Sequence, residues 1–464
     1  MSLGRIVYFV FPEAAAIAAA ACLVLPPLAS AQETVPPLSD ERLSAIIDSV
    51  SAARIEHDIR TLAAFGTRHT LSDTTSETRG IGAARRWIKA ELDRVSAACG
   101  GCLEVEYHRS LVDSGARIPR PTWVVNVVAT LRGSRDPERV LVISGHYDSR
   151  ATDALDATSD APGANDDASG TAAVLEAARV LTSAGRPYGA SIVFAALAGE
   201  EQGLYGGQHL AEVAHQEGWR IEGVFNNDII GNIQGQDGVV DGTTVRVFSE
   251  SPPATTTPDN LRQLRFYGGE VDGPSRQLAR YVDRIAERYF SNLDVMMIYR
   301  LDRFGRGGDH RPFNDLGFPA VRLTEAHEDW RRQHQDLRVE DGVEYGDVPD
   351  EVEFDYAAAV TALNVATLAS LAWAPAPPDS VMIAGAVEPS ARLSWAPVSD
   401  PALAGYKVYW RRTDSPTWNH WRWVGKATEA VVENLVVDNW FFGVASVDKD
   451  GHESVVVFPA PAPR

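Results

Sequence analysis

Five short segments of this chain carry residue types that together do metal-assisted hydrolysis. They hold His146 in VLVISGHYDS, Asp166 in PGANDDASG, the pair Glu200-Glu201 in FAALAGEEQGLYGG, Asp228 in VFNNDIIGN and His310 in GGDHRPFNDLGFPA. Carboxylates and imidazoles are the oxygen and nitrogen donors that zinc takes. Two ions about 3.5–4 Å apart need one carboxylate between them, further protein ligands on each side and room for water and substrate. A separate carboxylate, free of metal, must take the proton from the water. Five ligands and one base account for all six side chains. Asp148, two residues past His146, suits the carboxylate that orients a ligand imidazole through its far nitrogen. Asp166 sits in a glycine-flanked loop, and the adjacent Glu200 and Glu201 point to different sides, so one can bind metal while the other faces substrate. Taken singly, each has an ordinary explanation: a structural histidine, a helix cap, a solvated acidic face. Five such loops in glycine-rich settings favour the metal.

The elements that must position them follow from periodicity. Val140–Ser144, Ser191–Leu197 and Gly223–Phe225 are short apolar runs of strand character, each leading into one of these segments. Ligands in open α/β sheets gather just beyond the carboxyl ends of such strands. Helical spacing predicts amphipathic stretches over Ser39–Phe65 and Ile81–Val95, with strands at Leu103–Tyr107 and Trp123–Leu131. Gly170–Ala184 is read as a helix entered from Asp-Asp-Ala-Ser, which supplies capping groups. Alternation continues through Gly206–Gln216, Pro274–Tyr289 and Ala320–Leu323 to a last helix at Asp355–Ala372. This is an α/β pattern.

At 464 residues the chain exceeds what one core holds, so a second domain is expected. After the Pro-rich stretch 373–378 the composition changes: six of the 11 Trp fall beyond it, and short alternating runs at Ala391–Trp395, Tyr406–Arg411, Trp421–Val424 and Phe441–Val447 read as a β-sandwich. Trp421 and Trp423 share one strand face, where they either stack sugars or a partner protein or pack in the sandwich core or between domains. The net charge of −20 excludes nucleic acid and anionic membrane as partners, because an acidic surface repels phosphates. Arg5, the apolar run through Leu28 and the small residues Ala29-Ser30-Ala31 predict a signal segment over residues 1–31, cut after Ala31, with the mature chain secreted or periplasmic and without a membrane span. In an exported chain, Cys99 and Cys102 read as a short-loop disulfide.

In sequence order, GHYDS, PGANDDASG, AGEEQGLYGG, NNDIIGN and GGDHRPFNDLGFPA resemble the motifs of the co-catalytic zinc exopeptidases, typified by bacterial leucyl aminopeptidases and related to glutamate carboxypeptidases and glutaminyl cyclases. The resemblance runs over roughly residues 40–372. It implies a phosphorylase-like α/β/α sandwich with a mixed central sheet over residues 32–375. It also implies two zinc ions, with His146 and Asp228 on one, Glu201 and His310 on the other, and Asp166 bridging. Glu200 would be the general base and Asp148 the partner of His146. The family's peptide bond before the position of Asp167 is cis. Residues 376–464 resemble a fibronectin type III domain, with Trp395 and Tyr406 at its core positions.

Two departures bear on substrate choice. Gly308 stands where the family usually has serine, and Arg332-Gln-His-Gln-Asp336 replaces a Tyr-His-Thr segment that lines the pocket, leaving His334 in the equivalent place. The expected activity is secreted aminopeptidase action on peptides, with Glu325 or Asp309 as candidates for the substrate ammonium. Carboxypeptidase or dipeptidase action, for which Arg303, Arg306 and Arg311 offer charge, and glutaminyl cyclisation remain the alternatives.

Overall fold

The computed structural model describes residues 35–462; the expected signal segment lies outside them. The stretch read as helical over Ser39–Phe65 is two helices, Glu41–Asp48 and Ala52–Ala63. They part at Ser51, whose hydroxyl accepts the Arg54 N–H and so opens the second helix.

Eight strands build the central sheet: β1 (Leu103–Val112), β2 (Thr122–Leu131), β3 (Asp136–His146), β4 (Ala190–Leu197), β5 (Arg220–Asn227), β6 (Thr244–Ser249), β7 (Asp294–Ile298) and β8 (Ala320–Glu325). Their order is β1-β2-β4-β3-β5-β8-β6-β7. The middle four, β4, β3, β5 and β8, run parallel, while β1, β2 and β6 pair antiparallel, so the sheet is mixed as expected. Side chains alternate across it. Leu141, Ile143, Ile192 and Phe194 face one core, lined by helices Ala168–Thr182, Pro274–Tyr289 and Phe354–Trp373. Val140, Val142, Val193 and Ala195 face another, closed by Leu210, Ala211 and Ala214 of helix Tyr205–Glu217. Burial on both faces explains why the central strands read as continuous apolar runs. By length and composition Phe354–Trp373 is apolar enough to cross a membrane, yet 89% of its most apolar window is buried within the sandwich.

The disulfide between Cys99 and Cys102 is formed, closing the turn between helix Gly80–Ala98 and β1. A short hairpin, β9 (Arg338–Glu340) with β10 (Val343–Tyr345), follows the sheet. The tail then forms two small sheets. One holds β11 (Met382–Ala384), β12 (Ala391–Ser394), β15 (Glu429–Val432) and β17 (Ala460–Pro461); the other holds β13 (Leu403–Arg412), β14 (His420–Trp423) and β16 (Trp440–Asp448). Leu393, Trp395, Tyr406, Val408, Val432 and Val444 form their shared core, with Trp395 and Tyr406 edge to face at 5.4 Å.

These sheets are bonded into helix Pro274–Tyr289 and its N-terminal turn. Arg411 grips both oxygens of Asp272 at 2.8 and 2.7 Å, and Trp418 Nε1 donates to Gln277 Oε1 at 3.0 Å. Glu453 lies among Lys407, Arg288 and Arg284 at 2.8, 3.4 and 3.6 Å. Trp421 has the Lys407 ammonium 4.4 Å from its ring centre, so that face of the indole is covered.

Candidate metal centre

The four parallel strands end side by side, and the chemistry collects there. His146 is the last residue of β3, Glu200 and Glu201 open a short helix after β4, and Asp228 directly follows β5. Asp166 precedes helix Ala168–Thr182. Asp167 caps that helix through Gly170 N–H and also accepts the His146 N–H at 2.9 Å, tying loop to strand. Gly170 has no alternative, because a Cβ there would stand 2.1 Å from the Asn227 carbonyl oxygen. The Asp166–Asp167 peptide bond is cis.

Two groups of donor atoms result, and they share Asp166. His146, Asp166 and Asp228 form the first; Asp166, Glu201 and His334 form the second. Asp166 turns one oxygen to each side: Oδ1 is 3.2 Å from His146 Nε2 and Oδ2 is 3.1 Å from His334 Nε2. His334 Nε2 is also 3.0 Å from Glu201 Oε1, a buried oxygen with no hydrogen-bond partner.

Each donor is held from behind. Asp347 accepts the N–H groups of Asn165 and Asp166, both at 2.7 Å, and burial pushes its own carboxyl up to about 7. The His146 Nδ1 faces the Asp148 main-chain carbonyl at 3.1 Å, with the Asp148 carboxylate at 3.5 Å. That carboxylate instead receives the N–H groups of Glu200 and Glu201 at 3.3 and 3.2 Å and the Thr70 hydroxyl at 3.3 Å. Asp148 therefore sets His146 and the Glu200-Glu201 turn at once. Arg322 is fully buried and donates to Asp228 Oδ1.

The electrostatics are those of a cation site. Burial alone would raise Asp166, but the His334 and His146 imidazoles hold it well below the ordinary carboxylate range. Against burial, Glu201 and Asp166 lift His334 to about 10. Acidic groups thus outweigh the imidazoles, a buried carboxylate oxygen is orphaned, and the donors are the nitrogen and oxygen set that zinc accepts; the residues fit that metal. Glu200 belongs to neither group. It lines the same cleft of about 900 Å³, and burial, reinforced by Asp228 and Glu201, pushes its carboxyl well above its usual range.

Residues 126–344 match the model of peptidase family M28. A probable zinc metalloprotease of Leptosphaeria maculans is 46% identical over 92% of this chain and 99% of its own. A second, from Pyricularia oryzae, is 44% identical over 91% of this chain and 85% of its own. The chain belongs to peptidase family M28. The LapA aminopeptidase of Legionella pneumophila has the same fold, with a TM-score of 0.50 at 19% identity, covering 74% of this chain and 78% of that one.

This M28 metallopeptidase arranges some expected residues differently. His310, expected as a ligand of the second ion, lies outside both donor groups. It is fully buried at the start of helix Arg311–Asp315, with Nε2 bonded to the Leu301 carbonyl at 2.8 Å and Asp302 at 3.6 Å. His334, expected in the substrate pocket, stands in the second donor group instead. Asp309 and Glu325 are buried and do not line the cleft. Burial raises Asp309 to about 7, and Glu325 accepts from Asn165 and Asn232, bracing two loops. The placement of His334 had a signal in the sequence, the segment 332–336 that stands for the family's Tyr-His-Thr. Asp347 and Arg322 had none, since only the tertiary fold brings them to Asp166 and Asp228.

Proposed function

We propose that this M28 metallopeptidase is an exported aminopeptidase that binds two zinc ions and removes N-terminal residues from peptides. The observation that carries it is Asp166 offering one oxygen to each donor group while Glu200, outside both, lines the cleft. His146 and Asp228 would hold one ion and Glu201 and His334 the other, with Asp166 between them. When bound, the metal pair polarises the scissile carbonyl and acidifies the attacking water. Glu200 takes the proton from that water and returns it to the leaving amine, a role that its raised proton affinity suits. Asp148, by holding the N–H groups of Glu200 and Glu201, keeps base and ligand on opposite sides of one turn. The motif resemblance to bacterial leucyl aminopeptidases and the aminopeptidase fold support N-terminal action. The signal segment with cleavage after Ala31 and the Cys99–Cys102 disulfide support export.

The test is a zinc-loaded enzyme incubated with a peptide pool, half of it N-acetylated, followed by mass. Stepwise loss from free N-termini alone is expected, and Glu200→Gln should keep the zinc while lowering turnover by roughly 10²–10⁴-fold. Loss from C-termini regardless of acetylation would make the enzyme a carboxypeptidase. Loss of ammonia from N-terminal Gln would make it a cyclase.

A further inference from the structure

The cleft that contains the donor groups is lined by five arginines: Arg117, Arg150, Arg303, Arg306 and Arg311. Its carboxylates are Asp166, Glu201 and Asp228, committed to metal, Glu200, the base, and the largely exposed Asp315. Arg303 and Arg306 both reach Glu328, at 3.2 and 3.1 Å, and Arg246 shares the same carboxylate at 2.7 Å. Arg311 comes no nearer to Asp315 than 4.0 Å.

Three of the five, Arg117, Arg150 and Arg311, have no carboxylate within hydrogen-bond distance among the described residues; Arg311 is half exposed, and the other two are anchored. Arg117 donates to the Glu201 main-chain oxygen at 2.7 Å. Arg150 donates to the Ala151 and Thr152 carbonyls, both at 3.2 Å, and its nearest carboxylate is Glu201 at 4.0 Å. Both are therefore anchored next to the reacting groups by neutral acceptors, with charge left over. In a chain of net charge −20, such a concentration of cations has no bulk explanation. Guanidinium groups are the planar fork that matches a carboxylate.

We infer that Arg117 and Arg150 bind a carboxylate of the substrate, so that this peptidase acts preferentially on peptides carrying one close to the scissile bond. The inference rests on the peptidase reading above. A peptide brings such a group from three sources: an acidic N-terminal residue, an acidic second residue, or the α-carboxylate of a dipeptide. The chemistry is the same in each. Arg303 and Arg306, partly neutralised by Glu328, extend the positive wall without carrying the recognition.

The experiment uses the zinc-loaded full chain and four dipeptide substrates: Leu-Ala amide, Leu-Ala with a free carboxylate, Leu-Asp amide and Glu-Ala amide. The readout is kcat/KM for each charged substrate divided by that for the neutral amide. At least one ratio should exceed roughly tenfold, the scale of one charge-assisted hydrogen bond. Whichever substrate shows it identifies the source. That ratio should fall toward unity in Arg117→Gln or Arg150→Gln and be partly kept in Arg117→Lys and Arg150→Lys, which retain the charge. Equal kcat/KM for all four, or a ratio untouched by both glutamine variants, overturns the inference while leaving the peptidase reading intact. Failure to cleave any of the four removes both together.

Discussion

Arg322 Nη2 donates to Asp228 Oδ1 at 2.8 Å, and the two side chains are 0% and 4% exposed. The same guanidinium reaches both oxygens of Asp302, at 3.3 and 3.2 Å, and the Gly307 carbonyl at 3.1 Å. One buried cation therefore fixes the direction of a carboxylate of the first donor group and the loop that leads to His310. Arg322→Met leaves Asp228 and Asp302 buried without it, which should cost roughly 3–5 kcal/mol of stability, as for other broken buried pairs. Denaturant midpoints with and without zinc check this. The loss should be larger with zinc, because a ligand stabilises the folded state according to its affinity and the variant no longer holds Asp228 in place for it. An unchanged midpoint without zinc would mean that Arg322 is not what holds these carboxylates.

The proposed ligand role of His334 in place of His310 makes a sharp comparison. His334→Ala should lower the zinc content of purified enzyme by about one ion per chain, since a site of three protein donors loses one. His310→Ala should leave zinc content unchanged and lower the melting temperature instead, because it empties a buried site and strands the Leu301 carbonyl. Elemental analysis and a thermal melt on both variants suffice. The reverse pattern would restore His310 as the ligand.

Asp347 gives a third prediction. Its two oxygens hold the N–H groups of Asn165 and Asp166. Asp347→Ala frees the loop that aims Asp166 at both donor groups, and partners of this kind are worth about 10–100-fold in metal affinity. Zinc competition against a chelator should show a loss of that size. Asp347→Asn, which keeps one acceptor, should fall between that variant and the parent.

How much of this was legible in the sequence depends on the range of the interaction. Strands β3, β4 and β5 announce themselves as apolar runs because they are buried on both faces, and each run points directly at its own segment of donor residues. β6 and β7 were not anticipated: Thr244–Ser249 carries Arg246 within its run, and Asp294–Ile298 lies half exposed at the sheet edge. His146, Asp166, Glu201 and Asp228 stand in short glycine-rich motifs, so their types were readable locally. His310 misled because it too sits in a glycine-rich motif with an acid beside it, yet its ring turns into the protein. Arg322, Asp347 and Arg117 act across 84 residues or more of chain: 94 between Arg322 and Asp228, 181 between Asp347 and Asp166, and 84 between Arg117 and Glu201. No local pattern marks a contact that only the fold creates.

The junction between the tail and helix Pro274–Tyr289 should respond to acid. Glu453 is buried among Lys407, Arg284 and Arg288; burial opposes its charge, but the three cations hold its carboxyl well below the usual range. Its proton affinity is thus lower folded than unfolded, where a glutamate titrates near about 4.3. The sign follows: the stability that Glu453 contributes is fully present above that value and is lost as pH falls below it. Glu453→Gln leaves the cations uncompensated and should cost roughly 3–5 kcal/mol at neutral pH. The gap between thermal melts of parent and variant should narrow from neutral pH to pH 3, as the unfolded chain's glutamate takes up its proton while the folded carboxylate stays charged. A gap that stays constant with pH would show that the variant hurts packing rather than charge. Because these cations come from both the helix and β13, deleting residues 379–464 should remove their shared carboxylate and yield a destabilised protein rather than an independent peptidase.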